Sequence, residues 1–99
     1  MRFETINANK IEECIGNENV IIIDVRNSEE YYKGHIPTSI NIPYSKFNKV
    51  KDLLSKKKTL IIYCERGSAS LILSRELARE GYIVNNIYGG INAYRGVLE

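Results

Sequence analysis

The stretch Thr59–Gly81 constrains this chain more than any other. Leu60-Ile61-Ile62-Tyr63 is a short run of β-rich apolar residues, the pattern of a strand covered on both faces. Ala69, Ile72, Leu73 and Leu77 then recur at helical spacing, and Gly81 stands where a glycine closes a helix. One short loop, Cys64-Glu65-Arg66-Gly67-Ser68-Ala69-Ser70, joins the two. In an open parallel sheet, such loops at the carboxyl ends of strands are where ligands bind.

The loop opens on a cysteine, and its composition suits chemistry. A thiol attacks as thiolate, and backbone N–H groups at a helix N-terminus favour that form. Gly67 admits a positive φ without steric cost, and Ser68, Ala69 and Ser70 are small. The loop can therefore curl its amides inward as an anion-binding nest. The plainer reading is a buried apolar cysteine at a strand end. It leaves the glycine and serines without a purpose, so Cys64 is taken as a nucleophile.

Ninety-nine residues read as one domain, 1–99, able to bury about two-thirds of its unfolded surface. With 43% hydrophobic and 26% charged residues, the chain can form a core and a polar surface. A formal net charge of +2 is too small and too dispersed for a nucleic-acid binder. The one charge run, Lys56-Lys57-Lys58, directly precedes a strand and reads as a solvated loop. No apolar stretch has the length of a signal or a membrane span, and the two cysteines are far apart. These features predict a reducing cytoplasmic setting without disulfides. With no Cys-x-x-Cys, paired histidines or Gly-x-Gly-x-x-Gly, neither metal nor cofactor is expected.

In chain order, Arg2–Ile6 predicts a first strand, and Asn7 caps a short helix through Cys14. Cys14 is read as core, with a second reactive thiol that would relay to Cys64 as the alternative. Residues 16–19 form a turn before the apolar run Val20–Ile23. Asp24 and Arg26, at that strand's end, read as a structural ion pair or loop clamp rather than catalytic groups. Ser28–Lys33 is a short helix ended by Gly34. His35, the only histidine, could be a general base, but its place in a turn favours structure. Ser39–Ile42 is a brief strand, Tyr44–Leu54 a helix and Tyr82–Tyr88 the last strand. Gly89-Gly90 turns into a helical segment at Ile91–Tyr94. Strands alternating with helices mean α/β with a mostly parallel sheet.

Three stretches together resemble a single-domain rhodanese, a sulfurtransferase family that carries sulfur as a cysteine persulfide. They are Ile23-Asp24-Val25-Arg26 with Glu30–Pro37 and Asn41-Ile42-Pro43, the Cys64 loop, and Gly89-Gly90-Ile91-Asn92-Ala93-Tyr94. The resemblance implies a three-layer α/β/α fold with five strands and Cys64 at a central strand. It also implies transfer of sulfane sulfur from a donor such as thiosulfate to cyanide, a thiol or a protein. The backbone of Glu65, Arg66, Gly67, Ser68, Ala69 and Ser70 would bind the anions. Many members carry arginine where Ala69 stands, and good thiosulfate users often have a neutral or basic residue at Glu65. The loop thus implies a cradle built mainly from backbone and a poor user of thiosulfate.

Two other classes share these features. The related cysteine phosphatases place an arginine six residues after the cysteine, where this chain has Ser70. Non-catalytic, partner-binding or sulfur-sensing modules usually lose the cysteine that this chain keeps. Sulfur transfer fits the loop better than either.

Overall fold

The computed structural model describes residues 3–99. In chain order its elements are β1 (Phe3–Ile6), β2 (Val20–Asp24), α1 (Ser28–Lys33), β3 (Ile40–Asn41), α2 (Phe47–Val50), β4 (Thr59–Tyr63), α3 (Ser68–Arg79) and β5 (Ile83–Ile87). Short 3-10 segments lie at Ala8–Glu13, Tyr44–Lys46, Lys51–Leu53 and Gly90–Ala93. The five strands form one sheet in the order β1-β5-β4-β2-β3, with every pair parallel. Of the predicted first strand, Arg2 lies outside the described residues.

The apolar runs of β2 and β4 place alternate residues on opposite sheet faces. Ile23, Leu60, Ile62, Leu73 and Leu77 share one buried cluster with Phe47 and Val84, so α3 and α2 cover that face. Ile22, Ile61, Tyr63 and Ile87 point the other way, against Ile11, Ile36 and Tyr94. Helical segments on both faces make the predicted three-layer α/β/α arrangement. Cys64 belongs to the first cluster and Cys14 packs at the edge of the second, so the sheet separates them.

Helix α3 starts and stops where its glycines allow. Gly67, at φ 103°, is its N-cap, and Gly81, at φ 98°, follows its last turn. There the Gly81 amide donates to the Ala78 carbonyl and the Tyr82 amide to the Leu77 carbonyl, each at 3.1 Å, closing a Schellman-type end.

Asp24 is fully buried, and its carboxylate accepts the Arg26 amide at 2.9 Å and the Arg26 guanidinium at 2.7–3.1 Å. Arg26 Nη2 also donates to the Gly34 carbonyl at 2.7 Å, tying the β2 end to the end of α1. The two residues are thus the clamp that the sequence predicts. His35 stacks on Tyr31 with ring centroids 3.8 Å apart, and its Nδ1 lies 2.9 Å from the Tyr31 carbonyl. Its backbone pairs in both directions with Glu99, at 3.1 and 2.9 Å. This histidine is part of the framework.

Three local expectations need correcting. Residues 44–54 are not one helix but α2 between two 3-10 turns, and only Phe47 of the apolar set is buried while Leu53 is 86% exposed. Ile72 is also exposed, leaving Leu73, Leu77 and Ala78 as the inner stripe of α3. The strand predicted at Ser39–Ile42 shrinks to Ile40–Asn41, because Ser39 ends a turn on the Ile36 carbonyl.

Candidate active site

Cys64 leaves the end of β4 directly into the loop and is 7% exposed. The positive φ at Gly67 turns the chain back on itself, so the Gly67 amide donates to Cys64 Sγ at 3.0 Å. A side chain at Gly67 would be strained by that φ, and its Cβ would meet the Gly89 amide nitrogen at 3.3 Å. Leu71 closes the first helical turn by donating to the Gly67 carbonyl at 3.1 Å. The amides of Ser68, Ala69 and Ser70 precede that bond and so have no partner within the helix. They stand at the positive end of the α3 dipole, which begins at the residue whose amide reaches the sulfur.

The second partner of the sulfur is Ser70. Cys64 Sγ lies 3.4 Å from Ser70 Oγ, which is also 3.2 Å from the Gly67 carbonyl and in short contact with Asn86 Oδ1. Ser70 is itself fixed by Ser74, whose hydroxyl donates to the Ser70 carbonyl at 2.7 Å. Ser70, Ser74 and Asn86 are all buried.

The residues predicted for this loop therefore divide. Cys64, Gly67 and Ser70 converge around one sulfur atom. Glu65, Arg66 and Ser68 are exposed, and Ala69 packs against the core cluster that contains Cys64. Arg66 and Ser68 border a cavity of about 600 Å³ with Thr5, Asn86 and Tyr88. Glu65 borders a smaller one, about 270 Å³, with Arg26, Lys33 and Asn92. Glu30 lines the same cavity, and its two cations are already paired, Lys33 with Glu30 at 3.6 Å and Arg26 with Asp24 at 2.7 Å.

Two residues at the site are absent from the sequence-based expectation. Asn86 is one: it is the buried member of an asparagine pair, Asn85-Asn86, inside β5, and polar residues within a strand are the signal that marks it. Gly90 is the other. A Cβ there would run into the carbonyl oxygen of Cys64 and lie 2.6 Å from that of Glu65. The following amides support the loop from below, Ile91 donating to the Cys64 carbonyl at 2.9 Å and Asn92 to the Glu65 carbonyl at 3.2 Å.

Cys14 has a different setting. Its thiol is 3.8 Å from the Lys10 carbonyl, and burial, with Glu13 nearby, raises its pKa. Both cysteines are free thiols. Among the described residues, no three His, Cys, Asp or Glu side chains cluster as metal ligands, and no helix is long and apolar enough to cross a membrane.

Comparison with known proteins agrees with this architecture. The profile of the Rhodanese-like domain matches residues 7–96. The chain is 39% identical to the tRNA sulfurtransferase of Desulfurococcus amylolyticus over 79 residues, 80% of this chain and 16% of that protein. It is 29% identical to the putative sulfurtransferase YtwF of Bacillus subtilis, covering 97% of this chain and 94% of that one. The crystal structure of SSP1007 from Staphylococcus saprophyticus superposes with a TM-score of 0.87 at 28% identity, over 97% and 98% of the two chains. This chain belongs to the rhodanese-like domain family, and its relatives include sulfurtransferases. It spans between 16% and 45% of the length of three curated relatives that it matches.

Proposed function

We propose that this protein is a sulfurtransferase that carries sulfane sulfur as a persulfide on Cys64. The observation that carries this reading is the amide of Gly67, the N-cap of α3, on Cys64 Sγ at 3.0 Å. In the first step the Cys64 thiolate attacks the outer sulfur of a donor such as thiosulfate. An S–S bond forms to Sγ, the donor's own S–S bond breaks, and sulfite leaves with that electron pair. In the second step a nucleophile takes the terminal sulfur and the Cys64 thiolate is restored; with cyanide the product is thiocyanate. Each step conserves charge and uses no outside oxidant, because the sulfur arrives already at the sulfane level. Main-chain amides of residues 65–70 stabilise the incoming dianion and the persulfide anion.

A thiol or a protein thiol group is the acceptor we favour in the cell. Two free cysteines suit a reducing, cytoplasmic setting. The test is thiosulfate-to-cyanide transfer together with intact-mass analysis after exposure to thiosulfate. Cys64→Ser should lose both thiocyanate formation and the one-sulfur mass increment, while Cys14→Ser should keep most of each. A Cys64→Ser protein that still turns over would overturn the assignment.

A further inference from the structure

We propose that Asn86 is a positioning residue that reverses the direction of the Ser70 hydroxyl as the Cys64 sulfur changes charge, a role that rests on the sulfur-transfer reading. Ser70 Oγ carries one proton but faces three neighbours: Cys64 Sγ, the Gly67 carbonyl and Asn86. As a thiol, Cys64 donates a hydrogen bond to Ser70 Oγ, whose own hydroxyl donates to Asn86 Oδ1. As a thiolate, the sulfur can only accept. The Ser70 proton is then needed at Sγ, and Ser70 Oγ in turn lacks a donor.

Asn86 can supply that donor. It is 3% exposed on β5, and its Nδ2 meets no acceptor among the described residues while bordering the cavity beside Arg66 and Ser68. The terminal torsion of asparagine is broad and nearly two-fold. A half-turn of the carboxamide brings Nδ2–H to Ser70 Oγ, where Oδ1 had been. The chain then runs Nδ2–H to Ser70 Oγ, and Ser70 O–H to the sulfur anion. The thiol proton leaves to a solvent base, and Ser70 keeps a single proton throughout. Without Asn86, the Gly67 carbonyl is the remaining acceptor competing for the Ser70 proton. An ionised aspartate, which only accepts, or an apolar residue could not serve both states, whereas a carboxamide or a hydroxyl both accepts and donates.

The test reads the thiol and not sulfur transfer, so it succeeds or fails independently of the function above. Iodoacetamide alkylation of Cys64 is followed near pH 7 in a Cys14→Ser background. Asn86→Leu and Ser70→Ala should each slow alkylation about tenfold, the scale of one hydrogen bond to a charged atom. The double variant should be no slower than Ser70→Ala alone, because Asn86 acts only through Ser70. Asn86→Thr, which keeps a donor and an acceptor on a β-branched strand residue, should stay within about twofold of the parent. The Asn86 side-chain amide protons in the NMR spectrum of the parent should move as the thiol ionises. Multiplying effects in the double variant, or amide resonances that ignore the ionisation, would overturn the proposal. Should Asn86→Leu not fold, Asn86→Thr and the amide resonances decide the matter alone.

Discussion

Gly90 packs directly beneath the carbonyl of Cys64, with no room between them for a methyl group. The contact joins the turn after β5 to the loop after β4. It explains why a glycine pair ends the last strand: Gly90, at φ 62°, also needs a conformation that other residues adopt at a cost.

Gly90→Ala should therefore destabilise the fold by about 2 kcal/mol or more, from overpacking and the positive φ together. Urea unfolding gives the stability and thiosulfate-to-cyanide transfer gives the activity. Both should fall, since the displaced atoms are the carbonyls of Cys64 and Glu65. Unchanged turnover in a folded Gly90→Ala protein would show that the loop shape does not depend on this support.

The Asp24–Arg26 pair is buried, with side-chain exposures of 0% and 8%. Breaking one side leaves a charge without its partner in the interior, so Asp24→Asn should cost about 3 kcal/mol. Arg26→Met should cost a similar amount, and the double variant less than the two added. Denaturant unfolding of all four proteins measures this coupling, and simple additivity would mean that the pair does not act as a unit.

Tyr63 gives the fold an alkaline limit. Burial raises its pKa above the ordinary tyrosine value of about 10, and its hydroxyl accepts the Ile36 amide at 3.1 Å. The neutral phenol is the form the fold favours. Its contribution is fully present below about pH 10 and is lost as pH rises toward the higher folded value. Tyr63→Phe should be less stable near neutrality by about 1–3 kcal/mol, since the Ile36 amide loses its partner. Above pH 10 its stability should fall less steeply than that of wild type, by about 1.4 kcal/mol per pH unit. Parallel alkaline limbs for the two proteins would refute the assignment to Tyr63.

Glu65 bears on the choice of donor. Its negative charge beside the loop should oppose an incoming dianion, since Arg26 and Lys33 at the same cavity are already paired with Asp24 and Glu30. Glu65→Gln should raise kcat/KM for thiosulfate by about threefold at physiological ionic strength and more at low salt, the gain fading as salt is added. Equal values at low salt would show that this carboxylate does not influence the donor.

Much of this was legible in the residues, for reasons that differ by element. β2 and β4 are unbroken apolar runs, which only a doubly covered sheet can bury. The Cys64 loop is marked by a glycine whose positive φ nothing else would tolerate easily. Residues 44–54 misled because Phe47, Val50, Leu53 and Leu54 have helical spacing, yet the chain tightens into 3-10 turns on either side of four α-helical residues. The Asn86–Ser70 contact joins residues sixteen apart on different elements. No local pattern could pair them, although the asparagine pair Asn85-Asn86 inside a strand was a sign. The pairing of Glu99 with His35 left no trace in composition at all.

The N–H group that donates to Cys64 Sγ is a peptide amide, which every residue but proline possesses. The side chains of Glu65, Arg66 and Ser68 instead face outward. Recognition and electrostatics are thus written in separate alphabets within seven residues. The outward letters can be rewritten to court a different donor or acceptor, while the inward grammar stays in place as long as Gly67 and Gly90 do.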